Sequence, residues 1–184
     1  MFYVAGANFT STGSDCGTAC RYLEAAPSDQ STGIAWATTA TSCYNAGSSS
    51  DNNDCQSNSV YSGDLTAQSN SRTAATGIGQ GMANTNQIYA RLTTAGSALT
   101  ADYAAGIAWA YTNNGKTDWH LASLNELNEL YTQRTTVGGF ANVYYQSSSE
   151  SSASRAQAQL FSNGSQSSIV KTNTIRVRPV RAFG

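Results

Sequence analysis

The spacing of apolar residues divides this chain into strand-like ends and a helical middle. Near both ends apolar and polar residues alternate with the two-residue period of half-buried strands, whereas between residues 84 and 132 apolar residues recur at helical spacing. The order of strands, helices and strands predicts an α+β fold in which short helices pack on twisted antiparallel sheets. Strands are predicted at residues 2–5, 21–25, 144–148, 156–161, 166–171 and 175–183.

Three short helices are predicted in the middle of the chain. The first is capped by Asn84 or Thr85, and the second covers residues 99–110. The third begins at a capping box, in which Ser123 accepts from the amides of the first turn and Glu126 reaches back to the serine amide.

Turn-forming residues mark the connections between these elements. Asn163 followed by Gly164 predicts a tight hairpin turn near the C-terminus. Residues 28–81 are rich in serine, asparagine, glycine and aspartate, with Trp36 as the main apolar residue, and are predicted to be mostly loop. An irregular segment of this length in a compact domain requires additional bonds to hold it.

The 4 cysteines all lie in the first third of the chain. They allow three pairings, which the sequence alone does not distinguish. Proximity favours Cys16 with Cys20 and Cys43 with Cys55, because each bond would close a short loop. A zinc site is disfavoured, since the cysteines lack paired metal-ligand spacing and the 1 histidine, His120, is distant in sequence. We expect neither a metal ion nor a cofactor.

The composition indicates one domain with no electrostatic preference for a partner. The chain has 184 residues, of which 11% are charged, and its net charge is -1. There is accordingly no basic surface for nucleic acid and no polybasic membrane patch. Aromatic residues make up 10% of the chain, which favours a packed core over a linker. No segment reads as a signal peptide or a bilayer span, so membrane attachment would need a separate anchor or fusion domain.

The C-terminal third combines regularly spaced apolar residues with interchangeable small polar residues. This pattern is typical of a scaffold that presents a binding surface, which we place between residues 144 and 175. The partner would be a protein or another surface ligand that the sequence does not identify. The candidate ligand-binding positions are Tyr144, Gln146, Ser151, Ser152, Ala153, Ser154, Arg155, Gln157, Gln159, Ser162, Ser167, Ser168, Ile169, Val170, Thr172, Asn173, Thr174 and Ile175.

The reactive residues of the chain give little support to an enzyme. No cysteine or histidine follows His120, and Glu150 is the only acidic residue after Glu129, so a calcium cage is not expected in the C-terminal third. A lone histidine in a strand is more often structural than catalytic, and the same interpretation is favoured for Glu150. In the last strand the arginines alternate with valines, which predicts buried valines and exposed arginines. These arginines are Arg176, Arg178 and Arg181.

A series of motifs along nearly the whole chain resembles the Lcl C-terminal-like domain family. The motifs are YLEAAP at 22–27, GIGQG at 77–81 followed by Asn84 and Thr85, KTDWHLAS at 116–123, ELN at 126–128, GGFA at 138–141, SSSE at 147–150, FSNG at 161–164 and RVRPVRAF at 176–183. The sequence departs from the family at Gln146 and Gln157, where tryptophan is usual, and at His120 and Ala122, where an aromatic residue and proline are usual.

The resemblance implies a loop-rich, C-type lectin-like fold in the branch shared with formylglycine-generating enzymes, whose catalytic cysteines have no counterpart here. Several family members are variable proteins of diversity-generating retroelements, in which template adenines are mutated. Mutated asparagine codons yield serine, threonine, alanine, arginine, isoleucine, valine or tyrosine, but not glutamine, glutamate or lysine. By this rule Gln146, Glu150, Gln157 and Lys171 belong to the scaffold, although two of them lie among the candidate positions.

The sequence is compatible with two functions. The first is a non-enzymatic ligand-binding variable protein, located outside the cell, on a cell surface or on a virion. The second is a structural or adhesive module of a cell envelope or phage fibre without diversification. A template repeat and a reverse transcriptase gene near the coding sequence would favour the first.

Overall fold

The structure is a computed structural model that describes residues 1–37, 76–94, 98–152 and 155–184. Within these ranges it has eight strands and four short α-helices, which confirms the α+β class. The strands are β1 (Tyr3–Phe9), β2 (Cys20–Ala25), β3 (Ser31–Ile34), β4 (Tyr144–Ser152), β5 (Arg155–Leu160), β6 (Gln166–Val170), β7 (Ile175–Val177) and β8 (Val180–Phe183). The helices are α1 (Gln80–Tyr89), α2 (Ala104–Ala110), α3 (Leu124–Thr132) and α4 (Arg134–Val137), with a π-helical turn at Ala90–Thr94 and a 3-10 turn at Thr100–Asp102.

The strands form two sheets. The first has the order β1-β2-β8 and is antiparallel; the second has the order β3-β7-β4-β5-β6. Its β4 and β7 are parallel, with Tyr145 opposite Arg176, so the expectation of purely antiparallel sheets is wrong for this pair. The short strand β3 lies in the segment expected to be loop.

The strand predicted at residues 175–183 is divided between the two sheets. Pro179 separates β7 from β8, and β7 pairs with β3 and β4 while β8 pairs with β2. Proline has no amide hydrogen to donate to a ladder, so it is a natural point for the chain to leave one sheet. The carbonyl of Pro179 accepts from the amide of Ala26 at 2.9 Å, which links the segment to β2.

Two buried clusters form the core. One surrounds Trp36, Ile88, Tyr103 and Leu121, and confirms Trp36 as an apolar centre of its segment. The other joins the two sheets and α3, and its aromatic members include a tilted Tyr145–Phe161 pair with ring centroids 4.3 Å apart. The loop before α3 contributes to both clusters, with Leu121 in the first and Ala122 in the second.

The structure confirms three local features that the sequence predicts: a capping box, a hairpin turn and one disulfide. Ser123 Oγ accepts from the amide of Glu126 at 3.3 Å, and the Glu126 carboxylate accepts from the amide of Ser123 at 2.9 Å, so α3 has the expected capping box. The turn at Asn163 and Gly164 joins β5 to β6, with Gly164 at a φ of 84°. A disulfide joins Cys16 to Cys20. The other expected bond, Cys43–Cys55, lies outside the described residues.

The first helix begins earlier than expected. It starts at Gln80, not at a cap formed by Asn84 or Thr85. Both of these side chains are buried, and Thr85 Oγ1 accepts from the amide of Leu121 at 3.0 Å. At the actual helix start, Gly79 adopts a φ of 87° and donates its amide to the carboxylate of Glu126 at 2.8 Å. In the described ranges, none of the helices has the length and apolar character needed to cross a membrane.

Candidate functional site

A buried ion pair connects two strands of the polar C-terminal tract. Glu150 lies on β4 and Lys171 directly follows β6, and the ammonium of Lys171 donates to the Glu150 carboxylate with both side chains fully buried. The Nζ of Lys171 lies 4.5 Å from the centroid of the Trp36 ring. The amide of Trp36 donates to the carbonyl of Lys171 at 2.8 Å. Two residues that the codon rule assigns to the scaffold therefore bind each other.

The three serines before Glu150 are also buried and bonded to the surrounding structure. The Trp36 indole donates to the carbonyl of Ser147 at 3.0 Å, and Ser147 Oγ donates to the carbonyl of Gln157 at 2.7 Å. Ser149 Oγ accepts from the amide of Leu124 at 2.9 Å. We call the set consisting of Trp36, residues 147–149, Glu150 and Lys171 the buried frame.

Six of the candidate positions line a single concavity beside this frame. Its volume is about 540 Å³, and we call it the Tyr144 cavity. The cavity is lined by Tyr144, Ile169, Thr172, Asn173, Thr174 and Ile175. The hydroxyls of Tyr144 and Ser167 form a hydrogen bond of 3.1 Å, so Ser167 lies next to the Tyr144 cavity. Its lining combines an aromatic ring and two isoleucines with hydroxyl and amide groups.

A second group of candidate positions lies on the opposite face of the β5–β6 hairpin. In the register Ile169 is opposite Ala156, whereas Ser168 is opposite Gln157 and Val170 is opposite Arg155. Cross-strand partners share a face and neighbours along a strand do not, so the two groups point in opposite directions. The candidate positions between residues 144 and 175 therefore do not form one solvent-facing patch.

The second group also makes more hydrogen bonds than freely exchangeable residues should. Arg155 Nη1 donates to the carbonyl of Ser168 at 3.0 Å, and the hydroxyls of Ser151 and Ser168 lie 2.6 Å apart. Ser162 is exposed in the turn between β5 and β6, away from the Tyr144 cavity. The side chain of Ser152, together with residues 153 and 154, lies outside the described part of the chain.

Three candidate positions are buried and must be corrected. Gln146 is 3%, Gln159 0% and Ile175 7% exposed. Gln159 Nε2 donates to Asn128 Oδ1 at 2.8 Å and so attaches β5 to α3. Ile175 lines the Tyr144 cavity, so it can contact only a ligand that enters the cavity.

The expectation that the C-terminal arginines are exposed is wrong for Arg178 and Arg181, which are buried. Arg178 Nε donates to Asp29 Oδ1 at 2.7 Å, and Arg176 Nη1 donates to Asp29 Oδ2 at 3.0 Å. The hydroxyl of Tyr145 donates to the same carboxylate at 2.8 Å, and burial raises the pKa of Tyr145 to about 12. Asp29 is thus a hub that sequence reasoning did not find.

Arg181 is held by a second group of carboxylates. Its guanidinium binds Asp118 and lies 2.9 Å from Glu24 and 3.6 Å from Asp15. Burial would raise the pKa of Asp118, but the amide of Asp15 and the guanidinium of Arg181 outweigh burial and hold that pKa below its usual range. The carboxylates precede Arg181 by long stretches of chain, so the alternating strand pattern gives no sign of them.

His120 is fully buried. Its Nε2 lies 3.4 Å from Glu126 Oε2, and its backbone forms a bridge with Val180. Burial would raise the pKa of Glu126, but the neighbouring His120 and the amides of Ser123 and Gly79 outweigh burial and hold that pKa below its usual range. In the part of the chain that the structure covers, no three histidine, cysteine, aspartate or glutamate side chains are grouped to hold a metal ion.

No protein-family model matches this chain, and no curated protein matches it either.

Proposed function

We propose that this chain is a non-enzymatic ligand-binding domain with a C-type lectin-like fold, and that it is the variable protein of a diversity-generating retroelement. The observation that carries the proposal is the Tyr144 cavity. Every residue that lines it belongs to the positions that the sequence pattern marks as exchangeable. The resemblance to the Lcl C-terminal-like domain family supplies the retroelement part of the proposal.

The buried frame gives the cavity a backbone that does not depend on its own side chains. The Glu150–Lys171 pair, the Trp36 indole and the buried serines bind strand ends and loops from inside. Side chains that line the cavity can then change without removing these bonds, as in an antibody combining site. This division of labour supports a binding role.

The chemistry of the cavity favours an uncharged surface as its ligand. The side chains that line the cavity include no aspartate, glutamate, histidine, lysine or arginine. Tyr144 offers a large rigid contact at low entropic cost, and residues 172–174 offer hydroxyl and amide groups. A protein or other surface ligand outside the cell or on a virion fits this combination.

Under this proposal, burial and strand register reduce the number of positions that we assign to ligand contact. We assign ligand contact to Tyr144, Ser167, Ile169, Thr172, Asn173 and Thr174, all of which surround the cavity. The codon rule permits each of these residue types. Gln146 and Gln159 are excluded because they are buried, and Gln157 lies on the other face.

A structural or adhesive module without diversification is the second candidate. It is favoured by the placement of Ser168 and Arg155 on the face opposite the cavity and by the hydrogen bonds that tie them together. A receptor face built by diversification would be expected to gather its variable residues on one side.

Sequencing of the DNA around the gene in several isolates tests the proposal. We expect a reverse transcriptase gene and a near-identical template repeat, with isolates differing at the codons around the cavity. The codons of Glu150, Lys171 and Trp36 serve as the internal control and should be constant. Absence of the repeat, or differences spread equally over frame and cavity codons, would favour the structural module.

A further inference from the structure

A second cavity lies on another part of the molecule and has a different chemistry. It has a volume of about 450 Å³ and lies between the loop near the disulfide, α1, α2 and the segment that leads to Trp119. We call it the Trp109 cavity. The residues that determine its chemistry are Asp15, Met82, Trp109, Thr112, Thr117 and Asp118.

The aromatic wall of this cavity is fixed in place. The indole of Trp109 stacks on Tyr89, with ring centroids 3.9 Å apart and planes at 14°, and Trp109 remains 37% exposed. An exposed tryptophan that is already ordered by stacking loses little side-chain entropy when it binds a ligand. Beside it Met82 contributes a buried, polarisable thioether.

Both ionisable side chains that line the cavity are carboxylates, those of Asp15 and Asp118. The carboxylates of Asp15, Glu24 and Asp118 surround the guanidinium of Arg181. Because the carboxylates outnumber the guanidinium, the net formal charge of this group is negative. Lys116 and Arg181 line a neighbouring cavity that shares Asp15 with this one, and neither cation lines the Trp109 cavity itself. The side chain of Asp15 is 65% exposed and can reorient toward a ligand.

We propose that the Trp109 cavity binds an organic cation, an ammonium group that carries apolar substituents. The face of an indole attracts such a cation more strongly than any other side-chain ring does. The exposed carboxylate of Asp15 complements its charge, and the hydroxyls of Thr112 and Thr117 accept from any N–H group it carries. The thioether of Met82 contacts its apolar substituents. This site is independent of the proposed function, because it shares no residue with the Tyr144 cavity.

Choline and its neutral isostere 3,3-dimethyl-1-butanol provide the direct test, since they differ in charge and hardly in shape. In NMR titrations of the whole chain we expect choline to shift the indole signal of Trp109 and the methyl signal of Met82 saturably. The neutral alcohol should bind about tenfold more weakly, because it forms no cation–π contact and no ion pair. Equal binding of the two compounds, or the absence of a saturable shift with choline, overturns the proposal.

Variants locate the site and separate it from a general effect of charge. Trp109→Ala should weaken choline binding about tenfold, and Asp15→Asn should weaken it about threefold. Trp109→Phe keeps a ring and should lie between wild type and Trp109→Ala, which preserves the test if the alanine variant does not fold. Glu129→Gln on α3 removes a distant carboxylate and should leave the affinity unchanged. Unchanged affinity in Trp109→Phe and Asp15→Asn overturns the assignment, as does an equal loss in Glu129→Gln.

Discussion

Lys171 and Glu150 form an ion pair from which solvent is fully excluded, although both lie within the polar C-terminal tract. The pair connects β4 to the residue after β6, and the Trp36 ring covers the ammonium from 4.5 Å. A buried ion pair is costly to break, because removal of one partner leaves the other charge without its counter-ion. The pair therefore belongs to the interior on which the fold depends, in contrast to the more exposed side chains beside it.

Removal of the carboxylate from this pair should be strongly destabilising. We expect Glu150→Gln to lower the free energy of unfolding by about 3–5 kcal/mol, as measured by urea denaturation. Glu129→Gln on α3 is the matched control and should change it by about 0.5 kcal/mol or less. The double variant Glu150→Gln/Lys171→Met should recover part of the loss, because it also removes the buried ammonium. A single variant as stable as the control would contradict the role of the pair.

Arg178 should not be replaceable by lysine. Its guanidinium binds Asp29, and it also donates to the carbonyls of Ala26 at 3.1 Å and Gly139 at 2.7 Å. Lysine keeps the charge but not the planar fork, so acceptors would lose their donors in a buried site. We expect Arg178→Lys to cost about 2–3 kcal/mol in thermal or urea unfolding. Arg155→Lys is the matched control, because Arg155 is exposed, and an equal loss there would contradict this account.

The parts of the fold that sequence predicts are those whose bonds are local. The capping box of Ser123 and Glu126 and the turn at Gly164 are closed by neighbours in the chain, and both are confirmed. The burial of Arg178 depends on Asp29, which is 149 residues away. An alternating arginine–valine strand gives no indication of such a partner, so the sequence wrongly predicts that the Arg178 side chain is exposed.

The sequence predicted which segment contains the candidate site, but not which side chains of that segment share a surface. Polar composition between apolar residues located the region, and the codon rule separated Glu150 and Lys171 from their neighbours. The codon rule could not show that Ser168 and Ile169 point to opposite faces of the hairpin, because the direction of each side chain depends on the strand register. Nor could it show that Gln159 is buried, since its partner Asn128 lies on α3.

The stability contributed by Glu126 should be lost in acid. Its pKa in the folded protein is below its usual value of 4.5, so the unfolded chain takes up the proton more readily. The contribution is therefore fully present above about pH 4.5 and declines as the pH falls through the folded pKa. We expect the difference in unfolding free energy between wild type and Glu126→Gln to narrow from about pH 7 to about pH 3. A difference that stays constant over this range in urea titrations would show that the carboxylate charge contributes nothing.

Substitutions around the Tyr144 cavity should leave the fold intact, whereas a buried ring of the scaffold should not be removable. Ile169 lines the cavity and Asn173 is exposed in the loop after β6, so Ile169→Asn and Asn173→Ala should cost about 1 kcal/mol or less. Trp119 is buried and packs edge-to-face on Tyr111 with ring centroids 5.1 Å apart; Trp119→Ala should cost about 3–5 kcal/mol. Melting temperatures and urea midpoints of the three variants measure this contrast.

Because the buried frame fixes the backbone independently of the cavity side chains, only Trp119→Ala should unfold at markedly lower temperature. If Ile169→Asn and Asn173→Ala unfold as readily, the cavity wall is part of the core and cannot serve as an exchangeable binding surface.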